Sequence, residues 1–144
     1  MAIIRQIKSN HILAITVGIV YVWFGTLKFF PLLSPAESLA KNTIDFITFG
    51  LIPSEISIIL LATLETSIGL LLIMNIYRKK VLIIAFVHII LTFVPLFIFT
   101  EDSFMVLPFS FTLLGQYIFK NIIIIGAIIT LYKLPENRTF FRLN

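Results

Sequence analysis

Six polar side chains interrupt the apolar runs of this chain: Lys28, Glu65, His88, Gln116, Lys120 and Asn121. Together they have the makings of a binding pocket. Lys28, Gln116, Lys120 and Asn121 supply hydrogen-bond donors, Glu65 a proton-exchanging carboxylate and His88 an imidazole. Such a set suits a molecule with a small polar head on an apolar body, with Tyr21 and Tyr117 as walls. A quinone fits, because its carbonyls need donors and its reduction takes up protons. An anionic solute or a lipid head group fits the same donors. The densest stretch is Gly115-Gln116-Tyr117-Ile118-Phe119-Lys120-Asn121, which runs straight into four consecutive isoleucines. A charge in hydrocarbon must be paired, hydrated or neutralised, so Lys120 calls for a partner on another helix.

Each residue also has a plainer role. A Glu65–Lys120 pair at matched depth would fix helix register. Lys28 could snorkel to a membrane surface, since its aliphatic stem tolerates apolar neighbours. His88 could be a hydrogen-bonded core histidine. Metal chemistry is not expected, because only His88 and Glu65 are placed to serve as ligands. Haem with two axial histidines would need His11, which falls at the inner membrane edge. The chain has no Ser/His/Asp arrangement, no glycine-rich phosphate loop and no paired-carboxylate motif.

The elements that must position these residues follow from composition. Of 144 residues, 59% are hydrophobic and only 12% charged, and the mean hydropathy is +1.07. A soluble domain is about 45–50% apolar and about 25% charged. The excess predicts a single integral-membrane domain over residues 1–144, with no room for a separate soluble one. The absence of cysteine rules out disulfides and thiolate sites. The net charge of +4 does not point to nucleic acid, because the basic residues sit at the ends of apolar runs and have no interleaved aromatic face.

A spanning helix needs about 20 apolar residues. The pattern predicts four, at about 12–30, 56–76, 81–99 and 113–132. Arg5 and Lys8 precede the first as they would in a signal peptide, but no small-residue cleavage site closes the run, so an uncleaved span is expected. Pro31 should end it. Ser34-Pro35-Ala36-Glu37 has the form of a capping box and opens a short amphipathic interfacial helix at about 35–48. Arg78-Lys79-Lys80 should be a tight basic turn and Pro95 a kink. Phe104 to Thr112, broken by Pro108, should pack at the membrane edge. The fold class expected is an all-α, antiparallel four-helix transmembrane bundle.

Helix positions three and four apart share a face. Ala14, Gly18, Tyr21, Gly25 and Lys28 form one stripe on the first span. Ala62, Glu65, Thr66 and Gly69 form the second, and Ala85, His88, Thr92 and Pro95 the third. Gln116, Tyr117, Lys120, Asn121 and Ala127 form the fourth. Small residues admit close helix approach and polar ones bond across it, so each stripe should face inward. At 1.5 Å per residue, Glu65 and Lys120 should both lie roughly 10–14 Å below the outer surface.

Orientation follows from the lysine and arginine bias. Arg5, Lys8, Arg78, Lys79, Lys80, Lys133, Arg138 and Arg142 fall in the N-terminal lead, the second loop and the C-terminal tail. The other two loops carry Glu37, Asp45, Glu55, Glu101 and Asp102 against Lys41 alone. Both termini are therefore expected on the cytoplasmic side.

At these residues the chain resembles the DoxX-like family of small four-span bacterial membrane proteins, including its YkgB-like members. The likeness runs from about Gly18 to Leu134. It rests on Trp23-Phe24-Gly25-Thr26-Leu27-Lys28-Phe29, Ser34-Pro35-Ala36-Glu37, Glu65 with Gly69, and Gly115 through Asn121. Where such proteins often carry an acidic residue just before the Gly-Gln-Tyr run, Leu114 stands here. The resemblance implies a bacterial inner-membrane protein: an accessory subunit of a redox or oxidative-stress system, with a soluble or membrane partner subunit, surrounding lipid and a second copy of the chain as partners. A quinone is the cofactor compatible with it. A transporter or permeation module, and a purely structural interaction protein, are the other functions the residues allow.

Overall fold

The computed structural model describes residues 2–134, the side chains from residue 10 onward. Arg138 and Arg142 lie outside the described residues, as do the side chains of Arg5 and Lys8. Among the described residues the chain is helical, with one small hairpin. The elements are α1 (Ala2–Leu27), α2 (Glu37–Ile47), α3 (Ser54–Ile73), α4 (Arg78–Leu91), α5 (Pro95–Ile98) and α6 (Thr100–Ser103), then β1 (Phe104–Val106) and β2 (Ser110–Phe111), then α7 (Leu113–Phe119) and α8 (Asn121–Lys133). Four helical segments, Asn10–Leu27, Ser54–Ile73, Arg78–Ile98 and Leu113–Lys133, are long and apolar enough to cross a membrane. Twenty helical residues extend about 30 Å, the thickness of a bilayer's hydrocarbon core.

The four long segments pack as a bundle. The closest neighbours are α1 and α3; α4 packs on α3 and α8, and α8 returns to α1. The inner core joins Ala14, Val17, Ile68, Leu72, Val81, Leu82, Ala85, Ile128 and Leu131. Outward faces carry Ile12, Ile19, Trp23, Ile59, Leu60, Ile83 and Ile123 in the open. An apolar surface that surrounds an apolar core is what lipid solvation requires.

The first three stripes are buried. On α1, Ala14, Gly18, Tyr21 and Gly25 are buried and Lys28 partly so; Ala62, Glu65 and Gly69 on α3, and Ala85, His88 and Pro95 further on, are buried too. Glycines set the distance between α1 and α3. A Cβ on Gly18 would lie 2.8 Å from the Gly69 carbonyl, and one on Gly25 would lie 2.7 Å from the Thr66 amide nitrogen. The two backbones therefore touch, as small-residue seams allow.

The fourth stripe faces inward only in part. Gly115, Ile118, Ile128 and Leu131 are the buried residues there; Tyr117 and Lys120 keep much of their surface exposed but line a cavity of the bundle with Asn121, and Gln116 is exposed outside that cavity. Two features rotate the segment. A Cβ on Gly115 would fall on the Ser103 carbonyl, so this side must meet α6. The helix is also interrupted at Lys120, the C-cap of α7 and the N-cap of α8, so one periodic face cannot run through it.

Other local expectations change as well. Pro31 does not end the first helix. α1 stops at Leu27 and tightens into a 3₁₀ turn, with Lys28 N–H donating to Gly25 O at 3.1 Å and Phe29 N–H to Thr26 O at 3.1 Å. The capping box does not form. α2 starts at Glu37 with Ala36 as N-cap and no side-chain cap. The Glu37 carboxylate instead accepts from Leu32 N–H at 2.9 Å and pairs with Lys41 at 2.9 Å. Arg78-Lys79-Lys80 is the first turn of α4, not the connecting turn, and Arg78 is buried there. The turn precedes it, with Asn75 and Tyr77 in the left-handed region. The segment at 104–112 is an antiparallel hairpin closed by a cis Leu107–Pro108 bond, so the fold is not strictly all-α. Pro95 does interrupt the third span: α4 ends at Leu91, residues 92–94 tighten, and α5 begins at Pro95.

Candidate functional site

The glycine seam brings α1 close enough for Lys28 to reach Glu65 on α3. Lys28 Nζ lies 2.5 Å from Glu65 Oε2, and both side chains are largely buried. The 3₁₀ turn that ends α1 turns Lys28 inward, and its Nζ also donates to the Phe24 carbonyl at 3.3 Å. The other carboxylate oxygen, Oε1, faces His88 Nε2 on α4 at 3.2 Å. His88 Nδ1 then meets the Tyr21 hydroxyl at 3.2 Å, and that hydroxyl lies 3.1 Å from the Ala85 carbonyl. A continuous polar row, Lys28–Glu65–His88–Tyr21, thus crosses three helices inside an apolar bundle.

Proton counting shows what the row can do. Tyr21 has one hydroxyl proton and two neighbours that could accept it. If it donates to Ala85 O, His88 Nδ1 must carry a proton to donate to the Tyr21 oxygen. Nε2 then bonds to Glu65 only if His88 is doubly protonated or Glu65 carries a proton. If Tyr21 donates to Nδ1, His88 is the Nε2–H tautomer and Glu65 is a plain acceptor. The two arrangements differ by a proton held among Glu65, His88 and Tyr21, so the row can accept or release one with little movement of heavy atoms.

The remaining candidates sit apart from this row. Lys120 does not pair with Glu65. Its ammonium lies over the rings of Tyr117 and Phe24, 3.9 Å and 4.5 Å from their centroids, within cation–π range. The carboxylate was taken by Lys28, the nearer lysine once α1 and α3 touch. Asn121 Nδ2 donates to Thr92 Oγ1 at 3.1 Å, which joins the first residue of α8 to the residue that ends α4. Gln116 is exposed, and its amide reaches only the Phe111 carbonyl at 3.5 Å.

A cavity of about 600 Å³ runs along the row. Tyr21, Lys28, Glu65, His88, Lys120 and Asn121 all line it, and Gln116 does not. Its other walls are mainly apolar, with Leu39, Ile44 and Ile47 from α2, Leu61 and Leu64 from α3, and Val87 and Leu91 from α4, beside the hydroxyls of Ser34, Thr43 and Thr92. Leu64, Val87 and Leu91 on these walls are exposed rather than sealed into the core. Dimensions and lining match a pocket for a small amphipathic ligand.

Tyr21, Thr92 and Phe24 were not read from the sequence as partners of these groups. Tyr21 and Thr92 do occupy the inward stripes of their spans, and that was the available signal. Phe24 was left out of the α1 stripe, although it stands three residues after Tyr21 and four before Lys28 and so flanks that face.

No family model, curated protein or solved structure matches the chain.

Proposed function

We propose that the protein is a membrane-embedded binder of a quinone-type molecule and serves as an accessory subunit of a redox or oxidative-stress system. The observation that carries this reading is a connected polar row, Lys28–Glu65–His88–Tyr21, lining a largely apolar cavity in the bundle. A quinone's apolar body would lie along the apolar walls, and its carbonyls would meet the donors of the row. Two-electron reduction to the quinol takes up two protons. The row would supply or relay them, and a partner redox subunit would supply the electrons. The motif resemblance to DoxX-like proteins belongs to the same proposal, as do a bacterial inner-membrane location and cytoplasmic termini.

A permeation pathway is less well supported. Among the described residues the interior next to His88 closes on the apolar side chains of Val17, Leu72, Leu82, Ile128 and Leu131, which offer a solute no polar group. A purely structural role has one observation in its favour, since Lys28–Glu65 and Asn121–Thr92 each tie two helices together.

The test is quinone binding to the purified protein in lipid nanodiscs, with Glu65→Gln and His88→Gln as variants. The expected result is saturable binding that weakens at least about tenfold in either variant, the loss of one charge-assisted hydrogen bond. Absence of binding, or equal affinity in all three proteins, would refute the reading.

A further inference from the structure

Three charged side chains line the cavity: Lys28, Glu65 and Lys120. Lys28 and Glu65 neutralise one another at 2.5 Å. Lys120 has no acidic partner among the described residues; its contacts are the faces of Phe24 and Tyr117. Ring faces engage one side of an ammonium and leave other N–H groups free to donate. With a neutral His88 the cavity therefore carries one positive charge that the protein does not balance. In a membrane such a charge favours an anion beside it.

We infer that the cavity's ligand is a singly charged anionic amphiphile, with its anionic oxygen on Lys120 Nζ and its apolar body along the α2, α3 and α4 walls. This rests on the reading above only in taking the cavity as the ligand site. It narrows the ligand class to an ionised head, either the enolate of an acidic hydroxyquinone or the carboxylate of a long-chain acid. The two share one chemistry, a resonance-stabilised oxyanion on a hydrocarbon body.

The experiment uses two matched pairs of ligands on the full chain in zwitterionic nanodiscs, each corrected for partition into protein-free discs. One pair is a 2-hydroxy-3-alkyl-1,4-naphthoquinone, ionised at pH 8, and its neutral 2-methoxy ether. The other is hexadecanoate and hexadecanol. The expected result is at least about tenfold tighter binding of the anion in one pair, the size of a charge-assisted hydrogen bond; the pair that shows it identifies the head. That preference should fall to near unity in Lys120→Gln and persist in Lys120→Arg. Equal binding of anion and neutral analogue by the wild type would overturn the inference, and this comparison needs no variant to fold. A preference unchanged in Lys120→Gln would overturn the assignment to Lys120. Equal binding within both pairs, with the two quinones still binding saturably, sinks this inference and leaves the quinone reading standing. Selective binding of hexadecanoate alone does the reverse.

Discussion

Removing the two ends of the Lys28–Glu65 pair singly and together should give very unequal results. In Glu65→Gln, the Lys28 ammonium loses its countercharge and keeps only neutral acceptors, the introduced amide oxygen and the Phe24 carbonyl at 3.3 Å. Its side chain is 9% exposed, so bulk water reaches it poorly. An unpaired buried charge of this kind destabilises by about 3–5 kcal/mol. In Lys28→Met, Glu65 keeps His88 at 3.2 Å, and the loss is nearer that of one charged hydrogen bond, about 1.5–3 kcal/mol. In the double variant Lys28→Met/Glu65→Gln no charge is stranded, and the expected loss is about 1 kcal/mol. The double variant should thus be more stable than Glu65→Gln alone, with a coupling of about 3 kcal/mol or more. The assay is unfolding in mixed mild detergent and dodecyl sulfate, followed by the fluorescence of Trp23, the only tryptophan. Single-variant losses that add to within about 0.5 kcal/mol of the double would show that the pair is not made.

Gly25→Val should lower stability by about 1–3 kcal/mol in the same titration, because even a Cβ there would lie 2.6 Å from Thr66 Oγ1; it should also abolish the Lys28–Glu65 coupling by parting the helices. Tyr21→Phe removes the hydroxyl between His88 and Ala85 and should lower stability by about 1–2 kcal/mol, with weaker quinone binding in the nanodisc assay. Thr112→Ala should lose about 1 kcal/mol, since Thr112 Oγ1 accepts from Gly115 N–H as the N-cap of α7. At the start of α2, the Lys41 hydrogen bond first, and then the Leu32 N–H, hold the Glu37 carboxyl below the usual value of 4.5. A depressed carboxyl contributes stability that is complete above its unfolded pKa and is lost as pH falls through the folded one. Melting curves of wild type and Glu37→Gln should therefore differ above about pH 4.5 and converge as the pH drops below it.

Much of the architecture was legible because it depends on one-dimensional signals. Run length and hydropathy located four spanning segments, and the three- and four-residue spacing of Gly18, Tyr21, Gly25 and Lys28 identified the buried face of α1. Those signals hold when a helix is continuous. They failed on the fourth segment, where the break at Lys120 and the close approach of Gly115 to Ser103 shift the buried face from Gln116 and Tyr117 to Gly115 and Ile118. The capping box failed for a related reason. Its four residues have the right types, but the Glu37 carboxylate is engaged by Leu32 N–H and Lys41, a competition that no local motif records.

The choice of lysine for Glu65 shows where spacing alone misleads. Counting residues along the spans matches Glu65 with Lys120 and leaves Lys28 close to the outer end of its own span, the wrong ranking. Backbone separation ranks them correctly. Gly18, Gly25 and Gly69 remove side chains from the α1–α3 seam, so the distance from Lys28 to Glu65 closes to 2.5 Å. α3 has no such seam with the fourth segment, whose main helical neighbours are α6, α4 and α1. One carboxylate cannot neutralise two ammonium groups, so settling the pair also settles which cation remains. The residue left over is Lys120, set on two aromatic faces at the edge of the same cavity. Three glycines in the α1–α3 seam therefore decide not only how two helices pack but also where the cavity keeps its unbalanced charge. Moving α1 away from α3 should release Glu65 to compete for Lys120, and any preference for an anionic ligand should fall with it.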